Sequence, residues 1–342
     1  MHKKHIYGIT AVIFLIVGIV GTTYYQKIFG KSVTKNGAIY IRSNDAIIDV
    51  EKHLNPFISD PEKFSWLAQK KKFTTPKGGM YLLKKDMSLN DLVNLLRSGQ
   101  QTPIKITFNN QHTLEDLAKR VAQQIEADSA SIVTAMTDFN FLSANNLQAK
   151  SALEISIPNS YELYWNTSAE KFRDRMLKEY HRFWTQKRLE KATKLGLTKS
   201  EVITLASIVQ KETVQKKERP IVAGLYLNRL KNDWPLQADP TIIYVLKEKN
   251  GRDFVVKRVL NKDLKIDSPY NTYKNTGLPP TLIGMPDISS IDAVLSPAKH
   301  NYFYMCASTS NIGFHEFART LKQHNRNAVK YQRWISKKGI NR

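Results

Sequence analysis

The sequence predicts an α+β protein carried on a single N-terminal transmembrane helix, with a small membrane-proximal subdomain and a larger mixed α/β domain after it. Three observations predict this. Residues 6–25, IYGITAVIFLIVGIVGTTYY, contain no charged side chain. Three later stretches repeat one local pattern of short strand, turn, Ser/Thr cap and helix. From residue 102 onward, helical and strand periodicities occur in separate blocks rather than in strict alternation.

The uncharged segment is long enough to span. At about 1.5 Å rise per residue, twenty helical residues cover roughly 30 Å, one hydrocarbon core. A cleaved signal peptide is the competing reading. No A-x-A site follows the segment, and Thr22, Thr23, Tyr24 and Tyr25 are a poor cleavage context. An uncleaved anchor over residues 1–25 is therefore expected. With Lys3 and Lys4 held inside, everything after a short tether (26–35) lies outside the membrane.

The repeated pattern occurs at 38–54 (AIYIRSNDAIIDVEKHL), 80–99 (MYLLKKDMSLNDLVNLLRSG) and 104–125 (IKITFNNQHTLEDLAKRVAQQI). Ser88 and Thr113 are expected N-caps, with Asp91 and Asp116 in the first turn, where the helix dipole favours an anion. Gly99 ends the second helix. Such units are a common local solution, and they also resemble LysM-type glycan-binding modules. A LysM-like subdomain is expected at 36–101 and the larger domain at 102–342. In the latter, 168–196 is helical and basic, 198–213 and 218–231 are helices, and 236–287 reads as Pro- and Gly-rich loops. Residues 302–318 alternate like strands, and 319–337 form a basic closing helix.

The chain has 342 residues with 52 Lys and Arg against 30 Asp and Glu, a net charge of +22. A surplus spread along the chain marks a soluble basic face or an acidic polymer as partner. Nucleic acid rests on the charge alone: no basic–aromatic module is recognisable, and the anchor argues against it. Cys306 is the only cysteine, so no intramolecular disulfide forms, and it reads as a small buried hydrophobe. The eight histidines show no H-E-x-x-H spacing and there is no Gly-rich phosphate loop, so neither metal nor cofactor is expected.

One residue breaks the pattern. In LTKSEVITLASIVQKET (197–213), Thr198 and Glu201 form a capping box. Val202, Leu205, Ala206, Ile208 and Val209 then share one face at about 100° per residue. Glu212, four residues after Ile208, projects from the edge of that face, while Gln210 and Lys211 point away. An ion pair with Arg219 or Arg229 would explain it. So would a general acid whose proton is retained because apolar surroundings disfavour the carboxylate. The loops downstream are rich in Asn, Gln, Asp, Thr and Tyr, which suits a glycan cleft and also many ordinary polar loops.

ASIVQKET (206–213), LYLNRL (225–230), LQADPT (236–241), YNTYKNTGLPP (270–280), SPAKHNYFY (296–304) and HEF (315–317), in this order, resemble the endolytic murein transglycosylases of the YceG-like family. The resemblance implies a membrane anchor, a LysM-like subdomain and a catalytic domain outside the cytoplasmic (inner) membrane. It places the catalytic acid on Glu212. Departures are Gln210 where the family has an acid (E-K-E-T), Thr281 after the two prolines, Ala318 after Phe317, and ISIPNSY (155–161) in place of E-G-x-x-F-P-D-T-Y. Only Pro158 and Tyr161 are recognisable there, and no catalytic role is carried over.

The family reaction uses one carboxylate and no water, half of the usual two-carboxylate scheme. Glu212 would protonate the glycosidic oxygen between MurNAc and GlcNAc, then take the proton of the MurNAc C6 hydroxyl as that oxygen closes on C1. Gln237, Asp239, Tyr270, Asn271 and Tyr273 are candidates for orienting sugar and N-acetyl groups, Thr241 as an orienting hydroxyl, and His315 as a glycan contact. Structural readings stand beside them: an Asx-type turn for Asp239, a loop-former for Asn271, a satisfied strand histidine for His315. The implied partners are peptidoglycan strands, membrane lipid and peptidoglycan synthases. A hydrolytic muramidase, with Asp239 or Asp267 as second carboxylate, and a non-catalytic envelope scaffold are the alternatives.

Overall fold

The computed structural model describes residues 2–338, with side chains from Tyr7 onward. Met1, residues 339–342 and the side chains of Lys3 and Lys4, on which the expected orientation rests, lie outside the described residues. The chain forms two compact units. The first comprises 1–106, 122–128 and 160–168; the second comprises 107–121, 129–159 and 169–342.

In the first unit, α1 (His2–Phe29) is long and apolar enough over Tyr7–Phe29 to cross a membrane. Its apolar side chains stand exposed. Thr22 and Thr23 return their hydroxyls to the carbonyls of Gly18 and Ile19, which satisfies both donors within the helix. At its end, Lys27 sits 3.9 Å over the Trp66 ring and Tyr24 meets the same ring edge-on. Then follow β1 (Gly37–Ile41), α2 (Ile47–Leu54), α3 (Pro61–Lys70), β2 (Gly79–Leu83) and α4 (Leu89–Ser98). β1 and β2 pair antiparallel with Ile39 opposite Tyr81. The period of two puts Ile39, Ile41, Tyr81 and Leu83 into one core with Val50, Leu54, Phe64, Leu67, Leu92 and Leu96. Ser88 caps α4 by accepting from the Asp91 N–H, and Gly99 closes it in the left-handed conformation at φ 73°.

The chain passes into the second unit along β3 (Ile104–Phe108) and returns briefly through β4 (Asn159–Leu163), the two strands of a second small sheet. Between them lie α5 (Leu114–Ala122), α6 (Ser129–Met136), α7 (Phe139–Ala144) and a 3₁₀ turn over Ala149–Ile155. Thr113 caps α5 as expected. Then come α8 (Ala169–Phe183), α9 (Gln186–Leu195), α10 (Lys199–Glu212), α11 (Arg219–Lys231), α12 (Asp239–Asn250), a second 3₁₀ turn (Asp263–Lys265), α13 (Ile288–Leu295), the antiparallel pair β5 (Tyr304–Ala307) and β6 (His315–Ala318), and α14 (Leu321–Lys337).

Three expectations need correction. The stretch 239–250 is a helix, not a loop: Pro240 occupies its first turn, where no helical N–H is needed. α10 is not amphipathic over its middle. All eight residues from Val202 to Val209 are buried, because helices surround it. Its polar members stay satisfied: Ser207 donates to the Thr204 carbonyl at 2.7 Å and accepts from the Ile283 N–H at 3.0 Å. Cys306 is half-buried on β5 rather than fully enclosed. At the other end of α10, Ser200 and Tyr180 both donate to the buried Glu154 carboxyl, at 2.8 and 2.7 Å, and tie the helix start to α8.

Candidate active site

Glu212 is the last residue of α10, and two local devices set its place. The capping box holds the helix start: Thr198 accepts from the Glu201 N–H, and Glu201 accepts from the Thr198 N–H at 2.8 Å. At the other end, Gln210 accepts from the Asp287 N–H and from Ser290 at 2.7 Å. The residue that departs from the family pattern thus fastens α10 to the start of α13.

α11 supplies the partner. Tyr226, 1% exposed, donates its hydroxyl to Glu212 Oε1 at 2.5 Å. Arg229, one turn further, does not pair with Glu212. It donates to the carbonyls of Phe303 (2.8 and 2.6 Å) and Leu236 (2.6 Å). Arg219, the other expected ion-pair partner, is spent on Asp287 and Ser289. Burial pushes the Glu212 pKa up to about 7. The Tyr226 hydrogen bond and the charges of His315 and Arg229 pull it down, while the Asp239 charge raises it.

The SPAKHNYFY segment is strapped along α11. Ala298 donates to the Pro220 carbonyl and His300 Nε2 to that of Ile221, both at 2.9 Å. Asn228 donates to the carbonyls of His300 and Tyr302. This close approach requires Gly224: a Cβ there would lie 2.5 Å from the Ala298 oxygen.

Asp239, exposed at the start of α12, accepts from the Tyr273 hydroxyl at 2.6 Å. Burial and then the Asp239 contact push the Tyr273 phenol far up. His315, on β6, binds the buried Glu218 twice, by its backbone N–H at 2.6 Å and by Nδ1 at 2.9 Å. Burial disfavours the imidazolium, but Glu218 and Glu212 outweigh it, and the His315 pKa is raised. Glu212 therefore lies within electrostatic reach of Asp239, Tyr273, His315 and Arg229, and Tyr226 bonds it directly.

Three other candidates are held by the protein's own hydrogen bonds. Thr241 is fully buried, bonded to the Ala238 carbonyl and to Thr272. Asn271 is fully buried too: it donates to the carbonyls of Leu264 and Ile266 and accepts from the Tyr273 N–H. Tyr270, 5% exposed, shares a hydrogen bond with Thr281. These side chains build the loop that aims Tyr273, and their polar groups are already hydrogen-bonded within the protein. Gln237 is exposed at φ 50°, with its N–H on the Thr272 carbonyl.

Tyr226 was not singled out from the sequence, and Arg229 only as an ion-pair partner for Glu212. Two polar residues three apart, inside the apolar LYLNRL run, were the available signal. Chemically, the site offers one half-buried acid present in both protonation states near neutrality, with its second carboxylate neighbour exposed and hydrogen-bonded.

The YceG-like family model matches residues 39–330. The chain belongs to the YceG-like family. It is 31% identical over 341 residues to a Bacillus subtilis (strain 168) protein named endolytic murein transglycosylase, covering 93% of this chain and 91% of that protein. A protein of the same name from Streptococcus pneumoniae serotype 2 (strain D39 / NCTC 7466) is 29% identical over 295 residues, covering 78% of this chain and 53% of that longer protein. A 2.6 Å crystal structure of a putative yceG-like protein from Listeria monocytogenes superposes with a TM-score of 0.57 at 29% identity, covering 85% of this chain and 98% of the other.

Proposed function

We propose that this YceG-like chain is an endolytic lytic transglycosylase that cleaves the β-1,4 bond between MurNAc and GlcNAc in nascent peptidoglycan. It leaves 1,6-anhydroMurNAc ends and so terminates strand elongation. The observation that carries this reading is the half-buried Glu212, with a pKa near 7 and, among the described residues, Tyr226 as its one hydrogen-bond donor.

Tyr226 occupies Oε1, so the mobile proton belongs on Oε2. Glu212 gives that proton to the glycosidic oxygen, which leaves on GlcNAc C4. The MurNAc ring passes through an oxocarbenium-like state at C1. Glu212, now a carboxylate, takes the proton of the C6 hydroxyl as its oxygen bonds to C1. The acid is regenerated, and no water is consumed. A pKa near the working pH suits a group that must do both. Asp239, held by Tyr273, is the carboxylate whose negative charge would stabilise the positive charge that builds up on the ring. Gln237 and His315 are the remaining candidates for sugar contacts.

The domain reading goes with it. Residues 1–25 anchor the chain in the cytoplasmic (inner) membrane lipid, 26–35 tether it, 36–101 form a LysM-like glycan-binding subdomain, and 102–342 carry the chemistry outside. The two-stranded antiparallel sheet with α2 and α3 between its strands supports the LysM-like assignment. Peptidoglycan synthases, which lay down the strands, are the proposed neighbours in the membrane.

Mass spectrometry of purified sacculi digested with wild type and with Glu212→Gln tests the reading. Anhydro ends from wild type and none from the variant are expected. Reducing ends would make the chain a hydrolase, and equal products from both proteins would take Glu212 out of the reaction.

A further inference from the structure

A cavity of about 460 Å³ lies in the same unit, beside the segments that carry Glu212 and Asp239. Its wall includes Lys211 and Pro240, the chain neighbours of those two acids, so it shares two backbone segments with the candidate active site. Adjacent residues lie about 3.8 Å apart along the chain and about 100° apart around a helix, so the two sets of side chains face different spaces. The volume is that of a small-ligand pocket, roughly 300–1,000 Å³.

The charge in this cavity is unusual. Lys211 and Lys247 are both half-buried. Burial, and then the like charge of Lys247, push the Lys211 ammonium below its ordinary value. Among the described residues neither lysine forms an ion pair with a carboxylate. Lys211 donates instead to His112 Nδ1 at 2.6 Å. An ammonium cannot accept, so Nδ1 is the acceptor and the ring is neutral. Burial and the two lysines hold His112 in that state. Three carboxylates also line the cavity: Asp116 acts on both His112 and Arg252, Glu248 acts on Arg252, and Asp253 stands exposed; Arg252 itself pairs with Glu115 at 2.6 Å. Two half-buried like charges without a direct ion-pair partner repel each other across the empty cavity, and an anion placed between them relieves the cost of both. Pro240, Ile243, Tyr244 and Ile283 give part of the wall an apolar surface that fits a short alkyl or peptide body.

We infer that this cavity is a carboxylate subsite that takes an acidic side chain of the peptide carried by the glycan, with Lys211 and Lys247 as its cation pair. The inference rests on the proposed glycan-cleaving reading. A peptide substituent reaches about 3.3–3.6 Å per residue, so two or three residues suffice to pass from a sugar beside Glu212 to this cavity. The subsite would make cleavage depend on the peptide as well as the sugar.

The test uses the full chain in detergent micelles and two measurements. The first titrates it with a muramyl dipeptide bearing a free glutamate carboxylate, with the same compound amidated, and with inorganic phosphate. The acid form should bind at least tenfold more tightly than the amide; Lys247→Gln should lose that preference, and Lys247→Arg should keep it. Equal binding of acid and amide, or an unchanged preference in Lys247→Gln, overturns the inference. Phosphate binding without peptide binding also overturns it and points to a phosphorylated headgroup instead. The second compares kcat/KM on peptide-bearing and peptide-free glycan. Lys247→Gln should lower the ratio about tenfold, and a constant ratio contradicts the subsite. If wild type cuts neither polymer, the glycan-cleaving reading has failed, and the titration still judges the cavity by itself.

Discussion

The position of Glu212 has a thermodynamic consequence that can be measured without substrate. Its pKa rises from the ordinary 4.5 to about 7 because the carboxylate is withdrawn from water. A folded-state pKa above the unfolded one makes the protonated form the stabilised one. That stability is fully present below about pH 4.5 and is lost as pH rises through about 7. At roughly 1.4 kcal/mol per pH unit, the ionised Glu212 costs the folded protein about 3 kcal/mol above pH 8. Glu212→Gln has the same shape, retains an oxygen for Tyr226 and cannot ionise. Relative to wild type it should be about equally stable near pH 4 and more stable by about 3 kcal/mol at pH 8. For a domain of this size that is roughly 6–12 °C in melting temperature. The assay is thermal unfolding of both proteins in the same detergent at half-unit steps from pH 4 to 8.5. Other titrating groups cancel in the difference. A difference that stays flat with pH, or that favours wild type as pH rises, would refute the placement of a desolvated acid at this helix end.

Tyr226→Phe removes the donor that favours the ionised form, so the Glu212 pKa rises. The alkaline limb of the kcat profile should move up by about 1 pH unit, given roughly 1.5–3 kcal/mol for a hydrogen bond to a charged group, of which the neutral acid keeps a part. Asp239→Asn removes a charge that raises Glu212, so the same limb should move to lower pH and kcat should fall if the ring charge needs Asp239; pH–rate profiles on soluble glycan check both. Asn271→Ala deletes three buried hydrogen bonds and should cost about 2–4 kcal/mol of stability while leaving the position of the alkaline limb unchanged, which a melt and a pH profile together decide.

Legibility followed the range of the interactions. Features settled within a few residues were readable: the caps at Ser88, Thr113 and Thr198, the stop at Gly99, the strands around Met305 and Phe317, and the apolar helix. α12 was missed because LQADPT looks like loop chemistry. In fact Asp239 and Pro240 are what a helix start selects: an anion at the positive end and a residue that needs no N–H donor. α3 hides in the same way behind Asp60 and Pro61. The polar residues of α10 disguised a helix buried on all sides, because Thr204 and Ser207 are satisfied by backbone groups that sequence spacing does not reveal.

At the site, Glu212 was legible as an acid out of pattern, but its partner was not. Tyr226 lies fourteen residues away on another helix, and only tertiary packing brings its hydroxyl to Oε1. Polar loop residues could not be sorted from the sequence for the same reason. Asn271 and Thr241 have the chemistry to hold a sugar, yet the backbone of their own loop and helix start takes all of it. Exposure separates them from Asp239 and Tyr273, and exposure is a property of the fold.

Digestion of sacculi in H₂¹⁸O, with the muropeptide ends read by mass spectrometry, tests most directly whether Glu212 performs both proton transfers. The account predicts anhydro ends that carry no heavy oxygen and vanish in Glu212→Gln. One ¹⁸O at each new reducing end would mean that water, not the C6 hydroxyl, attacks C1, and would contradict it.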